Sequence, residues 1–165
     1  MRRVVDTNVA IVANGRPDRA RGGRRPSIDC RLAAIDCLEA LLNRGQIVVD
    51  QAGEIQAEYR RHLHPSGQPG VGDQFYRAVI NDAARIRRVR MQRRQDGSYA
   101  AFPDDPALAT FDLSDRKFAA VARQARVPVA NAVDGDWLDH RAALAARGIE
   151  VDCVCGCIKA DWFED

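Results

Sequence analysis

The apolar positions along this chain change period several times, and each change marks an element. Arg3 to Asp6 sets Val4 and Val5 side by side, predicting a short buried strand that ends at Asp6. Thr7 or Asn8 can cap a helix after it, because their side chains accept hydrogen bonds from free backbone N–H groups. Residues 14–26 are polar and rich in Gly, Arg and Pro, and read as a loop. Ser27 caps a predicted helix running to about Asn43, where Leu32, Ile35, Leu38, Leu41 and Leu42 recur at helical spacing; Arg44-Gly45 closes it. Gln46 to Val49 is a second buried strand, followed by Asp50. Ile55, Tyr59 and Leu63 mark a helix at i, i+4 and i+8. His64 to Gly70 breaks it, and Val71 to Ala84 forms the next.

Ile86 to Met91 alternates arginines with Val89 and Met91, which suits an edge strand or an exposed helix. Residues 95–113 are a long loop. Ser114 is the expected cap of a helix through Phe118, Val121 and Ala122 to Gln124. Val127 to Asn131 is a third buried strand, Trp137 to Arg147 a helix stopped by Gly148, and Ile149 to Val154 a last strand. Strands alternating with helices call for a three-layer α/β/α sandwich around a mostly parallel sheet. The 165 residues read as a single domain, 1–165, with about 155–165 as a C-terminal tail.

Composition narrows the class. An apolar fraction of 46% suits a packed core, and no apolar run approaches the ~20 residues of a membrane span. Asp6 interrupts any signal-peptide core, so a cytoplasmic protein without a membrane partner is expected. Five cysteines, an odd number, do not make a secreted disulfide framework. Cys30 and Cys37 are expected to pack in the core. Cys153, Cys155 and Cys157 form C-x-C-x-C, which with His62 or His64 offers a weak zinc pattern; buried or free thiols are the preferred reading. Net charge is only +2, yet two of the 25 basic residues are lysine, leaving 23 arginines. Arg16, Arg19, Arg21, Arg24 and Arg25 form one cluster, and Arg85, Arg87, Arg88, Arg90, Arg93 and Arg94 another. Their planar forks match phosphate oxygens.

The acids carry the chemistry. Asp6 ends the first strand; Glu58, with Glu54 one turn earlier as its alternative, lies on the helix after the second. Asp115, with Asp112 as substitute, opens the helix after the long loop, and Asp134 and Asp136 follow the third strand. Strand carboxyl ends and helix starts share one edge of a doubly wound sheet, so these acids can meet in a cleft. Crowded carboxylates repel, and a hard divalent cation, Mg²⁺ or Mn²⁺, is the natural counter-charge. Two such ions ~4 Å apart would clamp the attacking and leaving oxygens of a phosphodiester.

Four stretches together resemble PIN-domain proteins, the fold of VapC toxins and related metal-dependent ribonucleases. They are Val5-Asp6-Thr7-Asn8, Glu58 to Leu63, Ser114 to Ala122 and Pro128 to Trp137. The resemblance spans residues 3 to about 154. It implies that Asp6, Glu58, Asp115 and Asp134 are catalytic metal ligands, with Asp136 supporting. Ala132 stands where the family often has Thr or Ser, and Trp137 where it often has Phe. The implied activity is metal-dependent endoribonuclease cleavage of RNA, as the toxin of a toxin–antitoxin pair. RNA, an antitoxin protein and a second copy of the chain are the candidate partners. The alternative is a non-catalytic PIN-like module that binds nucleic acid.

Overall fold

The computed structural model describes residues 1–17 and 22–164. Its centre is a five-stranded sheet, all parallel, in the order β3-β2-β1-β4-β5. The strands are β1 (Arg2–Val5), β2 (Gln46–Asp50), β3 (Ile86–Val89), β4 (Val129–Asn131) and β5 (Val151–Cys153). Val4, Val5, Val48, Val49, Val129 and Ala130 are fully buried, as expected of strands covered on both faces. Of the ambiguous Ile86–Met91 segment, Ile86–Val89 is the edge strand β3, where arginines are tolerated because one side of the ladder faces water.

The α/β sandwich follows from the crossovers. From β1 the chain steps outward to β2 and β3, then jumps back past β1 to β4 and on to β5. Right-handed crossovers running in opposite directions put their helices on opposite faces. Thus α1 (Thr7–Ala13), α2 (Ile28–Arg44), α3 (Glu54–His62) and α4 (Val71–Asn81) cover one face. The other is covered by α5 (Arg116–Ala125), α6 (Gly135–Asp139) and α7 (Arg141–Ala146). The reversal between β1 and β4 opens a crevice at their carboxyl ends, the usual ligand position in such sheets.

Several local expectations change. The single helix from Trp137 to Arg147 is split at His140, whose ring is held by Thr110 (3.1 Å) and the Asp136 carbonyl (3.0 Å). Helix α4 stops at Asn81 rather than Ala84, and a 3₁₀ turn over Ala83–Arg85 leads into β3. Ser114 is not the cap of α5: its hydroxyl donates to Asp112 Oδ1 (2.8 Å), and Asp115 occupies the residue before the helix. The segment expected as a tail is docked on α2. Trp162 is fully buried, Phe163 pairs with Pro26, and Ser27 N donates to the Trp162 carbonyl (2.9 Å). A disulfide joins Cys30 to Cys155, so these two are neither free nor merely packed thiols; Cys37, Cys153 and Cys157 are free.

The glycine-rich stretch 67–72 is architectural. Gly72 lies against the Ala10 carbonyl so closely that a Cβ would come within 2.1 Å of the oxygen. Asp73, fully buried, accepts hydrogen bonds from His64 N (2.8 Å) and Gly70 N (3.2 Å) and pairs with Arg16. Among the described residues no helix is long and apolar enough to cross a membrane.

Candidate metal centre

Asp6, Asp115 and Asp134 converge: each offers a carboxylate oxygen, and the three oxygens lie within 4.8 Å of one another. The reason is positional. Asp6 is the residue before α1, Asp115 the residue before α5, and Asp134 the residue before α6. Three helices begin at the same sheet edge, and each brings one acid to it. Asp6 and Asp134 are genuine caps, accepting from Asn8 N (2.8 Å) and Asp136 N (2.9 Å) through one oxygen each. Capping and membership of the cluster are therefore compatible roles, and the cap of α1 is Asp6 rather than Thr7 or Asn8. Asp115 makes no cap hydrogen bond.

A buried polar frame holds Asp6. The Asn8 side chain donates to Asp6 Oδ1 (2.7 Å), and the Trp137 indole N–H donates to Asp6 Oδ2 (2.7 Å). Asn8 also donates to Asn131 Oδ1 (2.9 Å) and accepts from Ala132 N (2.8 Å). Asn131 in turn holds the Asp134 carbonyl (2.9 Å). The strand and turn bearing Asp134 are thus locked to the strand bearing Asp6. Trp137 is fully buried and packs edge-on against Phe111 at 4.9 Å.

Burial dominates the electrostatics. Asp6 is pushed up from its ordinary value to about 7, first by burial, then by Asp134 and Glu58; the Asn8 and Trp137 hydrogen bonds oppose the rise. Asp115 is pushed up to about 9 by burial and by the charges of Asp6, Asp134, Asp112 and Glu58. Charge crowded into low dielectric favours protons on Asp115 and Asp6 toward neutrality unless a cation replaces them. The donor set fits a small hard divalent ion: only carboxylate oxygens converge, and two of the three are buried.

The other expected acids lie around this core. Glu58 is close enough to raise Asp6 and Asp115, but accepts from the Thr7 hydroxyl (2.7 Å) and forms an ion pair with Lys117. Glu54 points elsewhere, accepting from Arg93 and the Tyr99 hydroxyl. Asp136 accepts from Asp112 N (2.8 Å) and pairs with His140 (3.0 Å), pinning the long loop to α6. Asp112 holds Ser114. Thr7, Asn8, Lys117, Asn131 and Trp137 escaped the sequence reading as site residues. Thr7 and Asn8 carried a signal in their adjacency to Asp6, and Lys117, Asn131 and Trp137 in the stretches on which the resemblance rests.

The arginine clusters divide similarly. Arg16 is held by Asp73 and the His62 carbonyl, Arg24 by the Glu164 carbonyl, and Arg94 by the Phe102 carbonyl (2.8 Å). Arg19 and Arg21 lie outside the described residues. Comparison with protein-family models, curated proteins and solved structures returned no match.

Proposed function

We propose that this chain is a PIN-like, Mg²⁺- or Mn²⁺-dependent endoribonuclease. The observation that supports it most is the convergence of Asp6, Asp115 and Asp134 at the topological switch point of the sheet. These three residues would hold the cation directly, with Glu58 beside them. A divalent ion there would polarise a phosphodiester and neutralise developing negative charge. Asn8, Trp137 and Asn131 fix the acids before substrate arrives, which lowers the reorganisation needed for reaction. Lys117, paired with Glu58 at the rim, supplies a positive charge that a phosphate can share. A role as the toxin of a toxin–antitoxin pair in the cytoplasm, with an antitoxin protein and a second copy of the chain as partners, extends the same proposal.

The test is cleavage of single-stranded and structured RNA with Mg²⁺ or Mn²⁺. Chelation by EDTA and Asp115→Asn should each abolish cleavage; equal cleavage by that variant and wild type would overturn the proposal. A non-catalytic nucleic-acid-binding module is the second reading. The Glu58–Lys117 ion pair favours it, since it withdraws one acid from ligation. Calorimetry separates the two: RNA binding without Mn²⁺ binding would select the module.

A further inference from the structure

Two hollows share a wall, and the smaller opens beside Glu58 and Ser114, the neighbour of Asp115. The smaller, about 260 Å³, is bounded by Glu58 and Lys117 and extends to Arg61. The larger, about 600 Å³, continues past Arg94, Phe102 and Arg116. Glu54, Tyr99 and Leu113 line both, so the two form one furrow leading away from Glu58. On its wall the Arg93 guanidinium lies over the Tyr99 ring, 3.9 Å from the centroid. Glu54 accepts from both side chains, and the Gly97 carbonyl accepts from Arg93 Nη1 (2.6 Å). The guanidinium is therefore fixed in plane, yet its side chain stays 43% exposed. Leu113, 75% exposed, borders the same furrow. The furrow thus combines a rigid flat cation, an apolar edge and, in Arg61, a basic side chain without an ion pair among the described residues.

We infer that this furrow is a subsite for an unpaired segment of RNA. One base stacks on the Arg93–Tyr99 pair beside Leu113, and Arg61 and Lys117 face the phosphates between that base and the acids. The inference rests on the nuclease reading above and names the form of RNA the site takes. Guanidinium planes and aromatic rings are stacking surfaces for unpaired bases, whereas a duplex keeps its bases stacked on one another. A guanidinium already held by three partners loses little further freedom when a base arrives. Glu54 is accordingly a positioning residue for this platform rather than a metal ligand.

The test uses a short labelled oligouridylate and a duplex of equal length, with binding followed by fluorescence anisotropy in EDTA so that no cleavage intervenes. Wild type should bind the single strand more tightly than the duplex. Arg93→Lys keeps the charge and loses the plane; it should weaken single-strand binding about tenfold with an unchanged salt slope. Leu113→Ser, at an exposed position, should weaken binding in the same direction. Arg61→Gln should instead lower the salt slope by about one unit. The inference is overturned if Arg93→Lys binds like wild type, if the duplex binds as tightly as the single strand, or if wild type does not bind the oligouridylate. Binding with this pattern but no metal-dependent cleavage would sink the nuclease reading alone. Cleavage with binding insensitive to Arg93→Lys would sink the furrow alone.

Discussion

Neutralising Asp115 should make the metal-free protein more stable. Asp115 is buried, caps nothing through its side chain, and is raised from 3.8 to about 9. Near neutral pH the folded protein holds this carboxyl protonated, while the unfolded chain ionises it. The mismatch covers about three pH units, and at about 1.4 kcal/mol per unit it removes up to about 4 kcal/mol of stability. Asparagine is neutral in both states, so Asp115→Asn removes that cost. If local relaxation leaves half of it, about 2 kcal/mol, the melting temperature rises by roughly 4–8 °C for a chain of this size. The sign with pH follows. A carboxyl raised in the folded state lends its stability below about pH 4, and that stability is lost as pH climbs toward about 9. The two melting curves should therefore meet near pH ~4 and diverge above it. On the proposed metal-binding role Mn²⁺ should act oppositely, binding the ionised trio of the folded wild type and raising its melting temperature more at higher pH. The assay is thermal melting by circular dichroism across this pH range, with EDTA or with Mn²⁺. An Asp115→Asn protein that melts below wild type at neutral pH in EDTA, or that keeps the Mn²⁺-induced rise, refutes the reasoning. Asp6→Asn is the contrast, because both Asp6 oxygens accept hydrogen bonds. Its amide group would face the Trp137 or Asn8 donor, offsetting the gain by about 1–3 kcal/mol.

Three other perturbations address separate parts of the molecule. Reducing the Cys30–Cys155 disulfide, which spans 125 residues, should lower the melting temperature, with about 5 kcal/mol as the chain-entropy ceiling; identical melts with and without dithiothreitol would count against a stabilising cross-link. Trp137→Phe removes the donor that holds Asp6 down, so the pH midpoint of Mn²⁺ binding should move upward; an unshifted midpoint in calorimetry would deny the indole that role. Replacing Arg87, Arg88 and Arg90 together by Gln should flatten the salt dependence of RNA binding by up to about one unit per lost phosphate contact. An unchanged slope would make them an ordinary solvated edge.

Local pattern carried the elements, and topology carried the site. The valine pairs of β1 and β2, the Ser27 cap and the leucine spacing of α2 were legible because each signal is complete within a few residues. The sheet order was not, since no local feature says that the chain jumps from β3 back past β1. Splitting of the last long helix at His140 depends on Thr110, thirty residues away in the loop. The three acids could be chosen from their places at strand ends and helix starts. Which of them share a cleft could not, because Glu58, Glu54 and Asp136 occupy equally plausible positions. Their distant partners, Lys117, Tyr99 and Asp112, decide what each one does. The disulfide escaped because Cys155 is placed by the turn after β5, which cysteine parity does not reveal.

The central place of β1 has a consequence for biosynthesis. Asp6 meets Trp137 across 131 residues, and β1 borders β4 as well as β2. On the ribosome β1 can pair with β2 early, but its second edge stays uncovered until β4 emerges. At about 5–20 residues per second this lasts several seconds. An open edge lined by valines invites wrong strand partners, so this interval is when the nascent chain most needs a chaperone. The acid cluster cannot assemble during it, because Asp115 and Asp134 arrive with the same late segment. Any activity that depends on the trio is therefore withheld until synthesis has passed Trp137.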